Sequence, residues 1–307
     1  MRTTFVNTLA EMAREDDKIV CVIGDTGFAV FEGFEKEFGP RFVNVGIAEQ
    51  NFVGFGAGLA AMGMKPYIYN VVSFMTLRGL EQIVLDVSYQ RNPVVLVGVG
   101  GGHAYGPAGP THHSYFDIAM MRMLPDMAVV CPADPVEMRA VMLFSKDYGQ
   151  PMYIRIGRSV DPVVHEAPIE FSLGKLFKMR EGKDGALLAC GTMVKDALKA
   201  QEILSAEGIS IAVYSVPTIK PLDEGAVLSL AADYPALFTL EEHSRNGGLG
   251  SAVGDVLLGN GGTRGQFYKF GFPDTFAPVT GSREYLNDVY GLSPQKIAAT
   301  IKERLAL

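Results

Sequence analysis

A carboxylate opening an apolar helix, three histidines in one glycine-rich loop and two arginines at a strand end are the residues of this 307-residue chain best suited to chemistry. The carboxylate is Glu49, in Arg41-Phe-Val-Asn-Val-Gly-Ile-Ala-Glu49-Gln50-Asn51, where a short strand runs into a helix. Two roles fit it. It complements the dipole of that helix, or, as a buried carboxyl, it shares a proton with a bound base. The histidines are His103, His112 and His113, three of the five in the chain, in a loop that begins at Gly100. A single loop histidine is often idle. Three together, with glycines and prolines shaping the backbone, favour a binding or reaction site. The arginines stand in Arg155-Ile-Gly-Arg158-Ser159. They read either as solvated charges or as a phosphate clamp, because the guanidinium fork matches phosphate geometry.

Each segment lies where an element must hold it. Apolar runs at residues 19–23, 66–69, 94–99, 127–131 and 152–156 read as strands. Stretches of helical period lie between them, such as Leu77, Leu80, Ile83, Val84 and Val87. Strands alternating with helices imply βαβ units and mostly parallel sheets covered on both faces. In such sheets ligands sit outside the carboxyl ends of the strands, which is where all three segments fall. The pattern pauses at residues 159–171, which read as a linker with two prolines. It resumes with strands at 186–190, 209–214 and 236–240 and helices after each. The chain is therefore expected to be α/β with two doubly wound domains, residues 1–165 and 172–307.

Composition removes several classes. With 27 basic and 34 acidic residues the net charge is −7, and no basic block marks a nucleic-acid binder. The longest uncharged apolar and glycine run, residues 52–64, falls short of the ~20 needed to span a bilayer. No apolar signal core opens the sequence, and three scattered cysteines read as reduced core residues, so a cytoplasmic protein is expected. No P-loop, nucleophile elbow or zinc helix is present. Gly56-x-Gly58-x-x-Ala61 has the letters of a dinucleotide motif but lies inside a helical stretch, so close helix packing is its better reading. Glycine is abundant, 35 of 307, as expected where backbone approaches a ligand.

The three segments, in this order, resemble the C-terminal half of transketolase and of its relative deoxyxylulose-phosphate synthase. The resemblance covers essentially the whole chain. It is carried by Gly46-Ile-Ala-Glu49-Gln50, Ser73-Phe74-Met-Thr-Leu-Arg78 with Glu81-Gln82, Gly109-Pro-Thr-His112, Glu241-Glu-His and Gly247-Gly-Leu-Gly-Ser. It implies a pyrimidine-binding domain of thiamine diphosphate enzymes followed by a transketolase C-terminal domain. Glu49 matches the family's catalytic glutamate, which hydrogen-bonds the aminopyrimidine of the cofactor and activates it. Phe74 matches the aromatic that stacks on the pyrimidine, and Ile47 and Tyr69 are placed beside the cofactor. His103 and His112 match histidines of the donor pocket, with catalytic roles. Arg158 matches an arginine holding the sugar phosphate, Arg78 is a second candidate for it, and Asp25 and Thr26 lie toward the substrate mouth.

The family holds its diphosphate through a magnesium site marked by Gly-Asp-Gly. This sequence has Gly24-Asp25-Thr26 and no Gly-Asp-Gly. The resemblance is thus to the small subunit of a split transketolase, whose partner chain supplies the magnesium and diphosphate domain in an α2β2 assembly. Sugar phosphates are the expected substrates. Rival readings are a deoxyxylulose-phosphate synthase-like enzyme, the β subunit of a 2-oxo acid dehydrogenase decarboxylase, and a non-catalytic homologue. One departure stands out: before Gly-Pro-Thr-His, ordinary transketolases carry an aspartate that contacts a donor hydroxyl, and here the residue is Ala108.

Overall fold

The computed structural model describes residues 1–158, 162–263 and 265–306. Ser159 and the start of the expected linker lie outside the described residues. Among the described residues twelve strands form two sheets. They are β1 (Ile19–Ile23), β2 (Phe42–Asn44), β3 (Lys65–Val71), β4 (Val95–Val99), β5 (Ala128–Val130) and β6 (Met152–Ile156) in the first half. The second half contributes β7 (Phe177–Arg180), β8 (Gly185–Ala189), β9 (Ile211–Ser215), β10 (Thr218–Lys220), β11 (Ala236–Ser244) and β12 (Gln266–Phe272).

The first sheet has the order β10-β5-β6-β4-β3-β1-β2, parallel except at β10. The second has the order β12-β11-β8-β9-β7, parallel except at β7. Both are mostly parallel, as the alternation of elements requires. Burial explains why β1 is apolar at every position. Ile19, Cys21 and Ile23 pack on one face with Leu9, Met12 and Val141, while Val20 and Val22 pack on the other with Phe52 and Val53. Strands covered on both faces lose the polar alternation of a half-exposed sheet. A Cβ on Gly56 would lie 2.3 Å from Ile68 Cδ1, so this glycine lets the helix Glu49–Ala61 press onto β3. The glycine motif packs a helix; it does not cradle a phosphate.

The two halves are closely joined. β10 comes from the second half yet pairs antiparallel with β5 at the edge of the first sheet. The described part of the connecting stretch is tied down as well. Val164 and His165 donate backbone N–H groups to Asp134 Oδ2, at 2.8 and 3.0 Å. Beside them Glu137 is fully enclosed, and burial pushes its carboxyl up to about 7 despite hydrogen bonds from Ser215 and the Ala133 amide. Among the described residues no helix is long and apolar enough to cross a membrane.

Candidate active site

In the first sheet β1 is flanked by β2 on one side and β3 on the other, so the order of connection reverses at β1. Such a reversal opens a crevice at the carboxyl ends of the strands. Glu49 follows β2, Phe74 follows β3, His112 follows β4 and Arg158 follows β6. The fold therefore brings residues far apart in sequence to one end of one sheet.

There they form a continuous line. Glu49, 6% exposed, accepts a hydrogen bond at Oε1 from Arg78 Nη1 at 2.8 Å. The Arg78 guanidinium lies 4.5 Å from the centre of the Phe74 ring. Phe74 meets His112 edge-on, with centroids 4.9 Å apart. His112 neighbours Tyr105 at 5.8 Å, and Arg158 stacks over the Tyr105 ring at 4.5 Å. Burial, helped by His113, Arg78 and Arg158, lowers the His112 pKa, so its imidazole is held neutral beside Thr111 Oγ1 at 2.9 Å. A neutral imidazole between two cations can accept a proton or orient a hydroxyl.

The other expected site residues divide between this line and the core. His103 is fully buried between the halves, not in an open pocket: Nδ1 is 3.0 Å from Asn287 Oδ1 and Nε2 is 3.0 Å from the Tyr115 hydroxyl. Both ring nitrogens are thus engaged, and the Phe272 ring lies 4.1 Å away. Tyr69 belongs to the core, 1% exposed and stacked on Phe5 at 5.6 Å. Arg78, a candidate phosphate ligand, is engaged by Glu49 and Phe74. Arg155 is no solvated charge and no clamp, because it is 7% exposed and bound to Asp117 at 2.7 Å. Asp25, past β1, is held by Asn44, whose Nδ2 donates to its Oδ1 at 3.2 Å. Next to it, the buried Thr26 Oγ1 has no hydrogen-bond partner among the described residues. Ile47 is 75% exposed and lines an open groove of about 600 Å³ with Glu49, Gln50, Asn51 and Arg78.

Sequence reasoning missed the polar seam beneath the site. Asp117 accepts from Arg155 Nε, the Tyr153 hydroxyl at 2.8 Å and Ser114 Oγ at 2.7 Å. Arg155 also donates to Glu242 O at 2.8 Å, across the domain boundary. Glu242 accepts from the His103 amide at 3.0 Å and from Arg283 Nε. Its neighbour Glu241 accepts the amides of Leu249 and Gly250, at 2.7 and 2.8 Å, at the start of the helix Leu249–Gly259. That contact explains one glycine of the motif: a Cβ on Gly248 would fall 1.8 Å from Glu241 Oε2. The signal available in the sequence was the run Glu241-Glu-His inside an apolar strand, since buried acids need partners.

Residues 1–161 match the family described as transketolase, pyrimidine binding domain, and residues 158–297 match transketolase, C-terminal domain. The chain belongs to the transketolase family. It is 39% identical over 304 residues to one subunit of an apulose-4-phosphate transketolase from Phocaeicola vulgatus, spanning 98% of this chain and 96% of that protein. It is 37% identical over 304 residues to a 6-deoxy-6-sulfo-D-fructose transketolase subunit of Clostridium sp. (strain MSTE9), spanning 99% and 94%. A solved structure described as a split gene transketolase, inactive beta4 tetramer, superimposes with a TM-score of 0.89 at 34% identity, covering 100% of this chain and 98% of that one.

Transketolases depend on thiamine diphosphate, and the residues here can be tested for fit. An aminopyrimidine needs a carboxylate, an aromatic face and an open approach. Glu49 Oε2 has no hydrogen-bond partner among the described residues, Phe74 lies nearby beneath Arg78, and the groove at Ile47 is open. These fit the pyrimidine half of the cofactor. Among the described residues no three His, Cys, Asp or Glu side chains are grouped to hold a metal.

Proposed function

We propose that this chain is the small subunit of a two-subunit transketolase, transferring a two-carbon ketol unit from a ketose carrying an anionic end to an aldose. The observation that carries this reading is the line from Glu49 through Phe74 and His112 to Arg158 at one end of the first sheet. A partner chain carrying Gly-Asp-Gly then holds magnesium and the diphosphate, in an α2β2 assembly in the cytoplasm. Exposed Ile47, on the groove that Glu49 lines, offers the partner an apolar contact beside the carboxylate. The two related subunits are named for apulose 4-phosphate and 6-deoxy-6-sulfo-D-fructose, both sugars with an anionic group.

When bound, thiamine diphosphate supplies the carbon nucleophile for ketol transfer. Glu49 holds the pyrimidine through Oε2 and shares a proton with its ring nitrogen. Phe74 offers the ring face, once the Arg78 guanidinium moves aside. His112, neutral and half-buried, orients donor hydroxyls or takes a proton at a ring nitrogen. Arg158 anchors the far anionic end, leaving the reacting carbons toward Glu49.

Two results are expected. The isolated chain shows no ketol transfer and binds thiamine diphosphate weakly, whereas mixing it with a Gly-Asp-Gly partner restores magnesium-dependent turnover. Tight magnesium-dependent binding by the lone chain, or an inert pair, would overturn the reading. The second result concerns Ala108, exposed on the turn Gly106–Ala108. A methyl accepts no hydrogen bond, whereas sites built to bind a hydroxyl discriminate by ~10⁴-fold or more. Ala108→Asp is expected to sharpen the ratio of kcat/KM between ketoses of opposite configuration at the donor hydroxyl. An unchanged ratio would show that another group makes that contact.

A further inference from the structure

Beyond Arg158 the line ends in a crevice of about 110 Å³ between the two domains. The residues that decide its chemistry are Arg158 from the first domain and Lys195, Arg283 and Glu284 from the second. Its volume accommodates several water-sized groups. Arg283 is already committed: it donates to Glu242 and Thr192 and lies 3.5 Å from Asp196. Among the described residues Arg158 stacks over the Tyr105 ring, and neither it nor Lys195 makes a salt bridge to a described carboxylate. Lys195 stands in the first turn of the helix Met193–Ala206, half-buried on the rim between this crevice and a wider groove. Burial raises the carboxyl of the adjacent Asp196, and Arg283 and then Lys195 pull it the other way.

Arg158 and Lys195 thus bring two positive charges from different domains to one small crevice, an arrangement that an anion between them would stabilise. Only one ring, Tyr105, separates Arg158 from His112. We propose that Lys195 of the second domain, together with Arg158 of the first, grips the terminal oxyanion of the sugar substrate and so sets the preference for charged over uncharged sugars. The proposal rests on the ketol-transfer reading for the name of the substrate, but not for the anion site. The fork of Arg158 takes two oxygens of a tetrahedral oxyanion and the ammonium of Lys195 takes a third. Phosphate and sulfonate share that chemistry. The exposed Glu284 carboxylate on the same crevice opposes it, weakly because water screens it. The second domain is thereby a specificity element, not only a scaffold.

The test uses the chain assembled with its partner, as wild type, Lys195→Gln, Lys195→Arg and Glu284→Gln. Substrates are D-fructose 6-phosphate, 6-deoxy-6-sulfo-D-fructose and uncharged D-fructose. Steady-state kinetics are paired with equilibrium binding of the same sugars in the absence of thiamine diphosphate. For at least one charged ketose, Lys195→Gln should raise KM and weaken binding roughly 5- to 30-fold, with kcat nearly unchanged. Lys195→Arg should recover most of the loss, Glu284→Gln should tighten binding, and high salt should erase the difference. A loss in Lys195→Gln confined to the phosphate or to the sulfonate sugar identifies the anion and upholds the proposal. Equal effects on charged and uncharged sugars, or none on either, overturn it. If the assembly transfers no ketol unit, the ketol-transfer reading fails, and the binding arm still decides the role of Lys195.

Discussion

Glu49→Gln lowers the rate of cofactor activation about 10²–10⁴-fold, the range for removing a general acid–base group. Glutamine keeps the length and planarity of the side chain, so the groove and the helix start are preserved. It loses the proton that the carboxyl shares and the charge that holds Arg78 at 2.8 Å. Arg78 is 54% exposed, so its release to water costs little stability. The measurement is exchange of the reactive thiazolium proton in the assembled enzyme, beside ketol transfer and a check that the subunits still associate. If the variant assembles and keeps a near-wild-type rate, Glu49 only complements the dipole of its helix.

The second large effect is on stability. Asp117 is fully buried, and burial alone would raise its carboxyl; Arg155, His243, Ser114 and Tyr153 outweigh burial and hold it below the usual range. Asp117→Ala leaves the Arg155 guanidinium enclosed with no counter-charge, which costs about 3–5 kcal/mol. Removing both partners, as Asp117→Leu with Arg155→Met, should cost much less, because no buried charge is then left alone. Denaturant unfolding of the chain measures both. Because the folded Asp117 titrates below its unfolded value, its stabilisation is present at neutral pH and is lost as pH falls through the folded pKa. A single variant as stable as wild type would mean that water reaches Arg155 and the seam is not dry.

What the sequence revealed follows burial. Strands enclosed on both faces, such as β1, β4 and β6, announce themselves as unbroken apolar runs. The runs do not announce β7, whose burial alternates along Phe177–Arg180, or β12, whose first residues are only half-buried. Nor does a three-residue strand such as β10 carry enough pattern to be seen. At the site, the segments with unusual local composition could be found: Glu49 in an apolar helix, His112 in its loop, Arg158 past its strand. Local letters could not separate His112 from His103, because the contacts that bury His103 come from Tyr115 and from Asn287, 184 residues away. The partnership of Arg155 with Asp117 is hidden for the same reason. A charged residue in a strand reads as a surface residue until its counter-charge is seen.

The placement of β10 bears on how the protein is made. Val130 of β5 pairs with Thr218, which leaves the ribosome after roughly ninety further residues. At ~5–20 residues per second that interval is on the order of 5–20 s. Through it the nascent first sheet presents the unpaired backbone of β5 along one margin, a template for any passing strand. The margin closes only when the chain has gone out, begun the second sheet and returned.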